Sequence, residues 1–196
     1  MANRWLSVVG SRRPSLAARD FVAQVVLTAS AIGLGIASGG APGVDQAAAS
    51  GAVGPVVECL PCGLDREVGF GVSGTTRLSG CPPSAGFMVS AAKERNAWLY
   101  ALGAVTVVVQ PRLGQGGTWT GCADALRRRL GTVAVWAPPV GAVDSETHAA
   151  IDALVRLGAV PIDGGPCLTD QLASLAVAPR APRQPSLFGD LIREAG

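Results

Sequence analysis

Three stretches of this chain combine glycine with hydroxyl or guanidinium side chains, and each follows an apolar run: Gly10-Ser11-Arg12, Ser38-Gly39-Gly40-Ala41-Pro42-Gly43 and Gly116-Gly117-Thr118. Glycine lets backbone approach an anion closely, hydroxyls donate neutral hydrogen bonds, and a guanidinium grips a phosphate through two N–H groups. A helix starting after such a loop adds free N–H groups and the positive end of its dipole. The chemistry these residues suit is phosphate holding. One loop of this kind is equally explained as a tight strand-to-helix turn; three on one rim favour a phosphate site. Asp45, at the start of the second loop's helix, reads as a cap on its own backbone or as a contact to a ligand ribose.

Other chemistries find little support. His148 is the single histidine, and no Gly-x-Ser-x-Gly elbow accompanies it. Cys59 and Cys62 form a Cys-x-x-Cys without a second Cys/His pair at ligand spacing, so neither a metal nor a cofactor is expected. Lys93, the only lysine, follows no glycine loop, which excludes a Walker A motif, and Gly33-x-Gly35 precedes a strand where a dinucleotide fingerprint would follow one. Five cysteines without scaffold spacing fit a reducing cytoplasm. Ser11-Arg12-Arg13 before the uncharged stretch 21–44 imitates an export signal or a membrane span. Asp20, Gln24, Thr28, Gly33, Gly35 and Pro42 argue instead for helix, turn and buried strand, with no membrane partner.

The elements that must position the loops follow from periodicity. Apolar runs at 5–9, 34–37, 55–60, 105–109, 133–136 and 159–162 read as buried strands. Helical spacing appears from Pro14-Ser15 through Ile32, and again over 44–50, 87–102, 123–130, 146–157 and 170–175. The Gly-rich connection 63–86 has no assignment. The chain has 196 residues, 48% apolar and 15% charged, which suits one well-filled core. We therefore expect a single α/β domain over residues 1–176, Rossmann-like and doubly wound, its mainly parallel sheet covered by helices on both faces, with a Pro/Arg-rich tail at 177–196. A formal charge of +2 from 16 basic and 14 acidic residues means that any nucleic-acid site is local.

Val9-Gly10-Ser11-Arg12, Ser38 through Asp45 with its following alanines, Gly63-Leu64-Asp65, Pro82-Pro83, Arg95-Asn96, Gly116-Gly117-Thr118 and 153–159 stand in an order that resembles the DNA-processing protein A (Smf) family. The resemblance implies a Rossmann-like domain that binds single-stranded DNA and helps load a recombinase in uptake or repair. It assigns the DNA backbone to Ser11, Arg12, Ser38, Gly39, Gly40, Arg95 and Asn96. Gly10, Gly43, Asp45, Gly116, Gly117 and Thr118 complete the rim. Gly40-Ala41-Pro42 departs from the family, which more often has a basic residue there.

A nucleotide is the rival ligand. Glu94-Arg95, Gly116-Gly117 and Thr120 resemble the signature of the lonely-guy nucleoside-monophosphate phosphoribohydrolases. Gly121-Cys122-Ala123 replaces their catalytic glutamate, leaving Asp124, Glu94 or Asp45 to activate water. Among the aromatics, Trp119 is the best base-stacking candidate, whereas Trp98 and Tyr100 read as core. Arg127-Arg128-Arg129 reads as a solvated helix end. In the tail, Gln184-Pro185-Ser186-Leu187-Phe188 resembles the peptide by which repair proteins dock on the bacterial sliding clamp, with Gln184, Leu187 and Phe188 as anchors. The competing reading packs Leu187, Phe188, Leu191 and Ile192 on the domain or on a second copy in a homodimer.

Overall fold

The computed structural model describes residues 5–66 and 74–177. In chain order the elements are β1 (Trp5–Gly10), α1 (Leu16–Ala31), β2 (Gly35–Ser38), α2 (Val44–Gly51), β3 (Val56–Leu60), β4 (Thr75–Ser79), α3 (Val89–Leu102), β5 (Val105–Val109), α4 (Gly116–Arg128), β6 (Thr132–Trp136), α5 (Ser145–Arg156), β7 (Val160–Ile162) and α6 (Leu168–Val177). The seven strands form one sheet in the order β4-β3-β2-β1-β5-β6-β7, every pair parallel. The chain winds outward from β1 to β4, returns through α3 to place β5 on the other side of β1, and winds outward again. This is the Rossmann-like, doubly wound arrangement that the alternation of elements predicts.

Burial on both faces explains the composition of the strands. All five residues of Val105–Val109 are buried, and β-branched side chains suit such a central strand. On one face α1, α2 and α6 pack over Leu6, Val8, Ile36, Val105 and Val107. On the other, α3, α4 and α5 pack over Val9, Ala37, Val57, Val108 and Val135. Helix α1 turns Ala18, Phe21, Val22, Val25, Val26 and Ala29 inward at three- and four-residue spacing, and Phe21 stacks on Trp136 with ring centroids 5.1 Å apart.

The connection 63–86, without assignment from sequence, contains β4. This strand pairs with β3 through five registered residues, yet Thr76, Arg77 and Leu78 are exposed. An edge strand with a polar face carries no apolar run to announce it. Helix α4 also begins earlier than its apolar spacing suggests: Gly116, Gly117 and Thr118 already form its first turn. Among the described residues, no helix is long and apolar enough to cross a membrane.

Helix starts follow their caps. The Ser15 hydroxyl accepts from the Ala18 N–H at 3.2 Å, and Asp144 accepts from the Thr147 N–H at 2.7 Å. Bonds from the Thr147 hydroxyl and N–H hold the Asp144 carboxyl below its ordinary value of 3.8. The unfolded chain therefore binds this proton more tightly than the folded one, so the cap stabilises above about pH 4 and is lost as pH falls through the lowered value. Asp144→Ala is expected to cost about 1 kcal/mol at pH 7. Urea denaturation at pH 7 and pH 3 should show a deficit at the first pH that narrows at the second.

Candidate nucleic-acid interface

Strand order reverses between β1 and β5, and their registered ends, Gly10 against Val109, release both following loops side by side. In parallel sheets ligands settle at such a switch point, beyond the carboxyl ends of the strands. Backbone and side-chain bonds tie the loops together. Ser11 N–H donates to Val109 O at 3.2 Å, Ser15 N–H to Gln110 Oε1 at 2.8 Å, and Thr118 Oγ1 to Gly10 O at 2.9 Å. The second loop joins through Val44 N–H, which donates to Ser11 O at 3.0 Å. A side chain at Gly43 would collide with Ser11 O and the Arg12 backbone, so only glycine permits this approach.

Between the loops lies a crevice of about 570 Å³ whose lining includes Ser11, Arg12, Arg13, Asp45, Arg95, Asn96, Gln110, Arg112 and Gln115 through Thr118. Four arginines thus face one carboxylate. Arg12, Arg13 and Arg112 are exposed, with guanidinium groups available to a ligand. Helix α4 opens at Gln115 without a side-chain cap, so its first-turn amides and its dipole are directed to the same space. A second cavity, about 660 Å³, shares Arg12, Ala41 and Arg95 with the first and extends past Leu60, Pro61, Arg66 and Phe87.

Asp45 and Arg95 form the buried floor. The Asp45 side chain does not cap its own helix, whose N-cap is Gly43 without a side-chain bond. Instead Oδ2 accepts from the N–H groups of Gly39 at 3.1 Å and Ala41 at 3.4 Å, and lies 3.9 Å from Arg95 Nη1. Burial pushes the Asp45 carboxyl up to about 6 even though Arg95 and these amides pull it down. The same burial lowers Arg95, partly offset by Asp45.

The model of the DNA recombination-mediator protein A family matches residues 1–172. The chain belongs to this family. Among solved structures it resembles DNA processing protein A from Helicobacter pylori, described for its single-stranded DNA binding mode, with TM-score 0.72 and 20% identity over 89% of this chain and 80% of that one. The Streptococcus pneumoniae DNA processing protein A gives TM-score 0.66 and 22% identity over 80% of this chain. The match spans only 57% of the pneumococcal protein's length. A molybdenum cofactor binding protein from Rippkaea orientalis shares the fold at TM-score 0.65 and 16% identity, over 91% of this chain and 99% of that one. Among curated protein sequences none matches.

Of the site residues expected for this family member, Gly10, Ser11, Arg12, Asp45, Arg95, Asn96, Gly116, Gly117 and Thr118 do converge on the crevice. Several do so in roles the sequence did not suggest. Ser38 is fully buried beneath the loop and lines neither cavity. Gly39 gives its N–H to Asp45, and its missing side chain is the slot that the Arg95 guanidinium fills. Arg95 is a buried counter-ion to Asp45, not a free bidentate fork. Ser11 accepts from the Arg13 N–H at 3.1 Å, and Asn96 Nδ2 donates to Gly117 O at 3.4 Å. Gly40, at φ 64, and Gly43, at φ 89, shape the second loop, and Gly40 borders the second cavity.

Trp119, the best stacking candidate in the sequence, is half-buried against the core and lines neither cavity. Arg128 pairs with Asp124 at 2.9 Å one helical turn away, and Arg129 ends α4 in the left-handed region at φ 52. Burial raises the Cys59 thiol to about 11, which suits packing and not redox chemistry. Gln184, Leu187 and Phe188 lie outside the described residues. Sequence reasoning missed Arg13, Gln110, Arg112 and Gln115. The available signal was position: Arg13 extends the Gly10-Ser11-Arg12 loop, and the other three stand in the loop after the strongest strand, where Gln110 has φ 50.

Proposed function

We propose that this protein binds single-stranded DNA along the switch-point crevice, as an accessory factor of recombination or repair. What carries the reading is the convergence of three exposed arginines and the uncapped start of α4 on one groove, in a chain of the DNA recombination-mediator protein A family. Guanidinium groups and backbone amides hold phosphates without reading bases, which suits a sequence-tolerant binder. The Helicobacter pylori relative's single-stranded DNA binding supports the same ligand. Two adjoining cavities sharing Arg12 leave room for a strand to pass beyond one nucleotide. A recombinase and the sliding clamp, the latter through the 184–188 peptide, are the macromolecular partners this role implies.

The geometry gives less support to hydrolysis of a nucleoside monophosphate. Of the three candidate carboxylates for activating water, Asp124 is engaged by Arg128, Glu94 is exposed and lines neither cavity, and Asp45 is held by two amides and Arg95. Oligothymidylate titrations at several salt concentrations separate the ligands. With three phosphates neutralised, log K should fall against log[salt] with slope about −2, against a slope below 1 in magnitude for thymidine monophosphate. Arg12→Ala is expected to weaken oligonucleotide binding about tenfold and to reduce the slope by about 0.7. An unchanged slope in that variant, or tighter binding of the mononucleotide, would count against DNA.

A further inference from the structure

The second loop offers an incoming anion two backbone amides and, beside them, a guanidinium. One carboxylate oxygen already holds this place: Asp45 Oδ2 takes Gly39 N–H, Ala41 N–H and Arg95 Nη1 together. Successive backbone amides in such a turn form an anion nest of the type that phosphates occupy in other proteins. The guanidinium is incompletely matched there, because its closest approach is 3.9 Å and its buried Nε has no partner. Arg95 nevertheless lines both cavities.

Resting on the reading of the crevice as a phosphodiester site, we infer that Asp45 is a positioning residue that acts as an internal stand-in for the ligand phosphate. It holds Arg95 and the second loop in place while the crevice is empty and gives Arg95 up to the strand when it is protonated. The burial that raises its carboxyl brings that protonation near neutrality. A phosphate arriving at Arg95 adds negative charge beside Asp45 and raises its proton affinity further, so binding takes up a proton.

The other groups facing Asp45 do not supply this proton. From α3 come Arg95 and Tyr100, the latter raised well above its ordinary value by burial. From β3 comes Cys59, pushed up to about 11, and Cys62 and Arg12 reach the pair through Arg95. An internal phosphodiester does not titrate in this range, so oligothymidylate separates the protein's proton from the ligand's, which a monophosphate with its second ionisation near 6 would not.

The test is calorimetric titration of the full chain with a dodecamer of thymidylate at pH 5.5, 6.5 and 7.5 and constant ionic strength, in buffers of unlike ionisation heat. Wild type should bind about tenfold more tightly at pH 5.5 than at 7.5 and take up a sizeable fraction of a proton at pH 6.5. Asp45→Asn keeps an acceptor for the loop amides while removing the charge. It should bind at pH 7.5 about as tightly as wild type does at pH 5.5, with little dependence on pH. His148→Gln, which removes the one imidazole, should keep the wild-type profile. Binding without proton uptake, or an Asp45→Asn variant that retains the wild-type pH slope, overturns this inference and leaves DNA binding standing. Absence of binding at every pH overturns both. Should Asp45→Asn not fold, the wild-type proton count decides alone.

Discussion

Gly43→Ala is expected to destabilise the domain by about 3 kcal/mol and to abolish oligonucleotide binding in the molecules that remain folded. Gly43 stands at φ 89 and ψ −121, a region open essentially to glycine alone. An added Cβ would also meet the carbonyl of Ser11 and lie 2.7 Å from Arg12 Cα. Both obstacles are backbone, so no rotamer change relieves them. The first and second loops would have to part, breaking the bond from Val44 N–H to Ser11 O and moving Arg12 away from Arg95. Urea denaturation combined with oligothymidylate titration checks both halves. A variant as stable as wild type would show that the loops have slack that the geometry does not suggest.

Phe21→Ala should cost a similar or larger amount, about 3–5 kcal/mol, with the opposite functional signature. Phe21 is 2% exposed, stacks on Trp136, and belongs to the cluster that holds α1 against β1 and β5. Removing the ring leaves a cavity between a helix and the central sheet, which close-packed neighbours fill only in part. The melting temperature should drop by roughly 10 °C, while DNA affinity measured well below the transition stays within about twofold of wild type. Loss of affinity without loss of stability would mean that α1 transmits strain to the Ser11 loop. Set beside Gly43→Ala, this variant separates what holds the fold from what shapes the crevice.

Six of the seven strands were legible from their apolar runs, which in the central strands are buried on both faces, as in Val105–Val109, and at the edge strand Val160–Ile162 are short and mostly exposed. Strand β4 was not, since Thr75–Ser79 lies at the sheet edge with its three middle residues exposed, and its pairing with β3 brings Arg77 to Glu58 across the register at 3.5 Å. The loops were legible as loops, but the duties of their polar groups were not. Asp45 at a helix start has the local pattern of a cap, and only the folded second loop brings Gly39 and Ala41 to its carboxylate. The setting of Trp119 was hidden for a similar reason: helix α4 begins at Gly116, and the indole lies half-buried against the core.

By itself the sequence determined the alternation of buried strands and glycine-led helices, and with it three loops at one rim. Those signals are local, depending on spacing, β-branching and the few residues that tolerate a tight turn. The tertiary structure alone decided which cations remain open to a ligand. Arg95 is drawn under the surface by a carboxylate fifty residues earlier in the chain, whereas Arg13 and Arg112 reach the crevice because Ser15 bonds to Gln110 across ninety-five residues. Pairings at that separation are set by how the strands lie side by side, and no local pattern records them.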